Sequence, residues 1–208
     1  MDENILKSLK WLGHAGFSVT AAGKTIFIDP YEIGDNPKAD IILITHSHYD
    51  HLSIADINKI KTPSTVMVTE KESAATLSGN IRVVKPGDKI TVSGIDIEAV
   101  PSYNINKTFH PKKNDWLGFI IGIGDNKIYH AGDTDLIPEM SSFSTDIALL
   151  PVSGTYVMTA DEAVEAAKLI RPGIAVPMHY DSIVGTKKDA ARFKSALEGF
   201  CEVMVMEK

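Results

Sequence analysis

Four side chains able to bind metal fall within six residues: His46, His48, Asp50 and His51, in the run Thr45-His46-Ser47-His48-Tyr49-Asp50-His51. Imidazole and carboxylate are borderline-to-hard donors suited to zinc, iron or manganese. Two histidines two positions apart in a tight loop can aim both rings at one ion, and Asp50 and His51 can turn toward a second. The competing explanation is a solvated turn that happens to be rich in histidine. Buried imidazoles and carboxylates need partners, which makes such a cluster costly without a function. One loop cannot complete a site, so further donors must come from other strand ends, where ligands of open sheets gather. Asp133, in Gly132-Asp133-Thr134, and His179, in Pro177-Met178-His179-Tyr180, each follow an apolar run. Taken singly, Asp133 could be a turn former and His179 a core or surface residue. Gly132 allows a close backbone approach beside Asp133.

The elements that must position these residues are mostly strands. Short β-rich runs occur at 8–12, 17–20, 25–28, 41–45, 65–68, 81–84, 89–92 and 95–100. Others follow at 117–123, 127–130, 147–150, 174–176 and 203–206. Thr69 with Glu72, and Thr159 with Glu162, read as capping boxes that open helices to about Leu77 and Ile170. Residues 189–197 place Ala190, Phe193, Ala196 and Leu197 on one helical face, and a short helix is expected after Ser53. The order strand, turn, strand, acid occurs twice, in Phe17–Asp29 and Phe119–Asp133. Each copy is followed by a small residue, an Asp and a buried strand (Ala39-Asp40 and Thr145-Asp146). This reads as a repeated ββ-loop-β unit, though hairpins followed by strands also arise by chance. No linker separates the halves, so one domain spanning 1–208 is expected.

Composition narrows the classes. The chain has 208 residues and a net charge of −6, with no basic run longer than Lys112-Lys113 or Lys187-Lys188. An acidic surface disfavours nucleic acid as a partner. No apolar run approaches the ~20 residues that span a membrane. Met1–Asn4 lacks the pattern of a signal peptide. Cys201 is the only cysteine, so no intrachain disulfide can form. The expectation is a cytoplasmic protein acting on a small molecule, with a homo-oligomer allowed.

The pattern His-x-His-x-Asp-His, then Gly-Asp-Thr, then a late His after a strand, resembles the metallo-β-lactamase superfamily over nearly the whole chain. Trp11-Leu12-Gly13-His14-Ala15, Ile28-Asp29-Pro30 and Tyr129–Asp135 narrow the likeness. They are similar to the small UPF-type metal-dependent hydrolases, related to the L-ascorbate-6-phosphate lactonase and N-acyl-phosphatidylethanolamine phospholipase D branches. The resemblance implies an α/β fold, an αββα four-layer sandwich of two mixed sheets with metal at one edge. It further implies two divalent ions, zinc first with manganese or iron as alternatives. His46 and His48 would bind one ion, Asp50, His51 and His179 the other, and Asp133 both. The third histidine of the first ion departs from the commoner pattern. His110 is the one histidine in that interval, with Asn104 or water as the rival. His14 and Asp29 are candidates to support ligands, His14 also to line the pocket, and His130 is expected to be structural. Trp116, Tyr103 and Tyr156 could line a pocket, although core packing explains aromatics as well.

The reaction implied is hydrolysis of an ester, lactone, thioester or phosphodiester by a hydroxide shared between ions, with Asp50 as the catalytic residue that orients it. Loops 103–115 and 153–158 are expected to set the substrate. The rivals are a nuclease of the same fold, a flavodiiron-type oxidoreductase and a non-catalytic metal-binding scaffold. The first lacks a basic groove, and the second lacks a flavin domain and a carboxylate at position 48.

Overall fold

The computed structural model describes residues 3–208, with side chains from residue 5. The thirteen strands are β1 Lys10–Gly13, β2 Gly16–Ala21, β3 Lys24–Ile28, β4 Ile41–Leu43, β5 Val66–Thr69, β6 Asn80–Val83, β7 Lys89–Val92, β8 Ile95–Pro101, β9 Leu117–Ile123, β10 Asn126–His130, β11 Ile147–Pro151, β12 Ile174–Met178 and β13 Glu202–Val203. The α-helices are α1 Glu3–Ser8, α2 Ile54–Ile60, α3 Lys71–Ala74, α4 Ala160–Ile170 and α5 Lys187–Ala196. One sheet has the order β1-β2-β3-β4-β5-β6, the other β13-β12-β11-β10-β9-β8-β7.

Both sheets are mixed, and both contain the repeated unit read from the sequence. β2 and β3 form a hairpin with β4 parallel to β3; β9 and β10 form a hairpin with β11 parallel to β10. The acid that follows each unit does the same work. Asp40 Oδ2 accepts the Thr25 N–H at 2.9 Å, and Asp146 Oδ2 accepts the Lys127 N–H at 2.8 Å. Each carboxylate pins the entry of the incoming parallel strand to the hairpin beside it.

Alternation along the strands sorts the core into layers. Ile26, Ile28, Ile41, Leu43 and Val68 join a cluster shared with the second sheet, through Phe119, Ile121, Ile128 and Leu149. Phe27, Ile42, Ile44 and Met67 point the other way and pack against Ile57 and Ile60 of α2. α4 buries the stripe Ala160, Ala163, Val164, Ala167 and Ile170, and α5 buries Ala190 and Phe193; together they cover β11 and β12. The result is the expected helix–sheet–sheet–helix sandwich.

Several local expectations change. Residue 8 ends a helix that the sequence reading did not contain, and the first strand starts at Lys10. Thr69 does not cap α3: its hydroxyl donates to Ile44 O within the sheet, and the Glu70 carboxylate accepts the Glu72 and Ser73 N–H groups instead. α5 starts earlier than expected, from a Thr186/Asp189 capping box. The last strand is shorter and starts one residue earlier, at Glu202–Val203, with Met204 N–H still donating to Ala175 O at 3.0 Å. The Thr159–Glu162 capping box and the short helix after Ser53 are found as expected, the latter capped by the Ser53 hydroxyl.

Candidate metal centre

In their sheets β1, β3 and β4 run one way, as do β8, β10 and β12, and their carboxyl ends meet at one edge of the sandwich. β1 ends at His14, β3 at Asp29, β4 at the His46–His51 loop, β8 at the loop carrying Asn104 and His110, β10 at Asp133 and β12 at His179. Three of these residues have left-handed backbone: His14 (φ 52°), Asp29 (φ 43°) and His179 (φ 61°). For residues other than glycine this costs of order 1–3 kcal/mol each and persists only where surroundings hold it. Here the His14 carbonyl accepts both the His179 N–H (2.8 Å) and the Trp11 indole N–H (2.9 Å), tying the ends of the two sheets together. Gly132 has φ 62°, and a Cβ there would lie 2.6 Å from Leu117 O. The turn before Asp133 therefore requires glycine.

The side chains converge in three overlapping groups, each with its ligand atoms within 4.8 Å of one another. His46, His48 and His110 form one, and His14, Asp50, His51 and His179 form another. His46, His51 and Asp133 form the junction. Asp133 touches both sides: Oδ2 is 3.3 Å from His110 Nε2 and 3.1 Å from His179 Nε2, and Oδ1 is 3.3 Å from His51 Nε2. Among the described residues, His51 Nε2, His110 Nε2 and Asp133 Oδ1 are buried with no aligned hydrogen-bond partner. Buried polar atoms this close yet without an aligned partner call for an explanation, and a cation between them is one.

A set of hydrogen bonds on the far side of each ring fixes which nitrogen faces the centre. The Thr45 hydroxyl donates to Asp29 Oδ2 (2.7 Å), so His46 Nδ1–H donates to Thr45 Oγ1 (2.9 Å). His51 Nδ1–H donates to the same Asp29 Oδ2 at 2.7 Å. One buried carboxylate thus orients an imidazole in each main group. His110 Nδ1–H donates to Asn104 Oδ1 (3.2 Å), which also accepts the His110 N–H (3.1 Å). The Asn104 amide is itself held by Asp135 and the Tyr156 carbonyl. Ser153 Oγ lies 3.1 Å from His179 Nδ1.

Burial pushes His46, His48 and His14 below their ordinary pKa, aided by His51 for the first and His110 for the second. At neutral pH these rings are uncharged and have lone pairs to give. His51 goes the other way: burial alone would lower it, but Asp133 and Asp29 outweigh that and hold it well above the usual range. Burial would raise Asp133, yet His179 and His51 keep it well below the carboxylate range. Asp50 also has burial working against ionisation. The His14 Nε2 contact at 2.9 Å and the field of His51 prevail and hold it at about 2. Neutral imidazoles with buried ionised carboxylates are the donor set divalent cations take, so these residues fit the metals the sequence led us to expect.

Known proteins point the same way. Residues 8–179 match the family model described as a β-lactamase superfamily domain. A UPF0173 metal-dependent hydrolase from Staphylothermus marinus is 36% identical, covering 91% of this chain and 90% of that protein. A protein from Parabacteroides distasonis described as a metal-dependent hydrolase has a crystal structure that superposes with a TM-score of 0.87. It is 35% identical, with 96% and 92% of the two chains covered. Igni18, a metallo hydrolase from Ignicoccus hospitalis, gives a TM-score of 0.81 at 28% identity over 96% and 94%. The chain belongs to the metallo-β-lactamase superfamily.

Within this superfamily fold, the structure brings every metal-ligand candidate from the sequence to one edge: His46, His48, Asp50, His51, His110, Asp133 and His179. His110 joins His46 and His48, while Asn104 stands behind its ring, its Oδ1 accepting from Nδ1. His14, expected to support ligands or to line the pocket, lies among the candidate ligands, and its ring is 4.0 Å from that of His179. Asp29 supports the cluster as expected. His130 stays out of it, buried, with Nε2–H donating to Ala15 O (2.8 Å) and Nδ1 accepting the Gly132 N–H (3.2 Å). Trp116 packs between His46, His48 and His110, with ring centroids 4.8–5.4 Å away. Tyr103 is buried and hydrogen-bonds Glu139. A cavity of about 810 Å³ opens beside Trp11 and Tyr180 and reaches His14 alone of the six clustered histidines. Among the described residues no helix is long and apolar enough to cross a membrane.

Proposed function

We propose that the chain is a binuclear metal hydrolase acting on an ester, lactone, thioester or phosphodiester bond of a small molecule. The observation that carries this reading is the meeting of two ligand groups at Asp133. His46, His48 and His110 would hold one ion, Asp50, His51 and His179 the other, with His14 at the second ion's margin. Zinc suits this nitrogen-rich set, and manganese or iron would be accepted. Divalent ions there would supply Lewis acidity and an acidified water as nucleophile.

The chain's own residues do the rest. Asp29 and Asn104 keep three imidazoles in the tautomer that turns Nε2 inward. Asp50, its side chain 14% exposed, is the carboxylate of the cluster nearest solvent. It is ionised at neutral pH, and His14 Nε2 shares a proton with its Oδ2, so the pair can orient a water and pass its proton outward. No serine or cysteine is needed: Cys201 lies outside the cluster and burial raises its thiol pKa. The test is turnover of ester, lactone, thioester and phosphodiester probes by the chelated and the zinc- or manganese-reloaded protein. Turnover restored by metal and lost in Asp133→Ala supports the reading. Equal rates with and without metal overturn it.

A further inference from the structure

Nine large apolar side chains are exposed among the described residues, and four of them, Tyr49, Ile105, Phe109 and Ile183, lie on loops that carry or closely follow candidate ligands. Tyr49 is 66% exposed although His48 and Asp50 flank it. It meets Tyr31 edge-on at 6.0 Å, and Tyr31 meets His14 at 6.1 Å. Phe109, next to His110, meets Tyr156 edge-on at 4.7 Å, and the Tyr156 carbonyl holds the Asn104 amide that orients His110. One aromatic pair thus adjoins each ligand group. Single exposed apolar residues are ordinary. Here one pair stands beside each group, so aromatic surface adjoins the polar cluster twice, the kind of side chain that lines small-molecule sites.

Charge selects among substrates. The chain has three arginines, Arg82, Arg171 and Arg192, on β6, at the end of α4 and on α5, none beside the cluster. Lys107 and Lys112 of the His110 loop are engaged by Asp135 and Glu139, and Lys113 lines a separate cavity with Glu70 and Asp88. Lys187, 3.5 Å from Asp181, and Lys208 line the cavity that reaches His14, but neither is a guanidinium that could fork a phosphoryl or carboxylate group.

We propose that Tyr49 with Tyr31, and Phe109 with Tyr156, are specificity determinants that receive the apolar groups flanking the scissile bond of an uncharged carboxylic ester, thioester or lactone. This rests on the hydrolase reading above and ranks carboxylic esters, thioesters and lactones ahead of phosphodiesters within it. In the reaction water oxygen bonds to the acyl carbon, the carbon–oxygen or carbon–sulfur bond breaks, and the leaving alkoxide or thiolate takes a proton from that water.

The test uses the full chain loaded with zinc. Turnover is measured on 4-nitrophenyl acetate, butyrate and hexanoate, with bis(4-nitrophenyl) phosphate beside them. Binding of methyl, propyl and pentyl phenyl ketones is measured by calorimetry. We expect kcat/KM and ketone affinity to rise two- to fourfold per methylene, about fourfold corresponding to full burial. Tyr49→Ser and Phe109→Ser should flatten that rise with KM increased, whereas Phe200→Ser, an exposed aromatic beyond α5, should keep it. Faster turnover of the phosphodiester, or no length dependence in either series, overturns the proposal. Length-dependent turnover that both collar variants retain overturns it equally. Length-dependent binding without turnover supports the collar and refutes hydrolysis; turnover without length dependence does the reverse.

Discussion

Asp29→Asn should weaken both metal ions at once, although Asp29 is not among the proposed ligands. The carboxylate reaches His51 directly and His46 through the Thr45 hydroxyl, so it orients one ring in each group. Asparagine tolerates the left-handed backbone at φ 43° and has nearly the same shape, so the change is confined to charge and proton direction. Losing one charge-assisted hydrogen bond costs about 1.5–3 kcal/mol. At 1.4 kcal/mol per decade that is roughly a 10- to 100-fold loss of affinity, the range seen when partners of ligating histidines are removed. The effect at His46 passes through a hydroxyl and should fall at the lower end. Asn104→Ala is the contrast, because Asn104 supports His110 alone: it should weaken one ion and spare the other. The assay is competition with a chromogenic chelator, giving two dissociation constants for wild type and each variant. If Asp29→Asn leaves both constants within threefold of wild type, or weakens only one, the reasoning about the shared carboxylate is wrong.

Three further outcomes are expected. Metal binding should release protons near neutral pH, because Asp133 and Asp29 hold His51 protonated in the metal-free protein and a ligand must give up its proton. Calorimetry in buffers of different ionisation enthalpy would report it, and the release should fade as pH rises through the raised His51 value. His130 is buried with both nitrogens engaged as the neutral ring, and its pKa is lowered from 6.5 by burial. The unfolded chain then binds the proton more readily, so stability is fully present above about pH 6.5 and is lost as pH falls below it. Metal-free His130→Gln should therefore lose less melting temperature than wild type between pH 7 and 5, and equal losses would remove His130 from the account. Gly132→Ala must accept a backbone contact of 2.6 Å at φ 62°. It should lower unfolding free energy by about 2 kcal/mol or more in denaturant titration, from left-handed strain plus the clash.

The layers were legible because the strands are short apolar runs cut by Gly, Asn and Asp, and because the ββ-loop-β pattern occurs twice. The helix at Glu3–Ser8 was not, since its six residues carry too little periodicity to stand apart from the apolar run that follows. Thr69 misled because its hydroxyl found a carbonyl inside the sheet, leaving Glu70 to cap with its own carboxylate. At the site, His46–His51 announced itself by donor density, and Asp133 and His179 by their places after strands. The place of His14 was hidden because Asp50 is brought to it by the pairing order of its own sheet and His179 by the closing of the two sheets. The Asp29–Thr45 relay and the aromatic pairs Tyr31–Tyr49 and Phe109–Tyr156 were hidden because each joins segments that follow different strands of one sheet. They are contacts between loops, and a linear sequence carries no period for them.

The most direct test of the binuclear centre is metal content per chain, by elemental analysis of protein purified without affinity metal and reloaded with excess zinc. The account predicts two ions per chain in wild type, one in His110→Ala and fewer than two in Asp133→Ala. One ion in wild type, or two in His110→Ala, would contradict it.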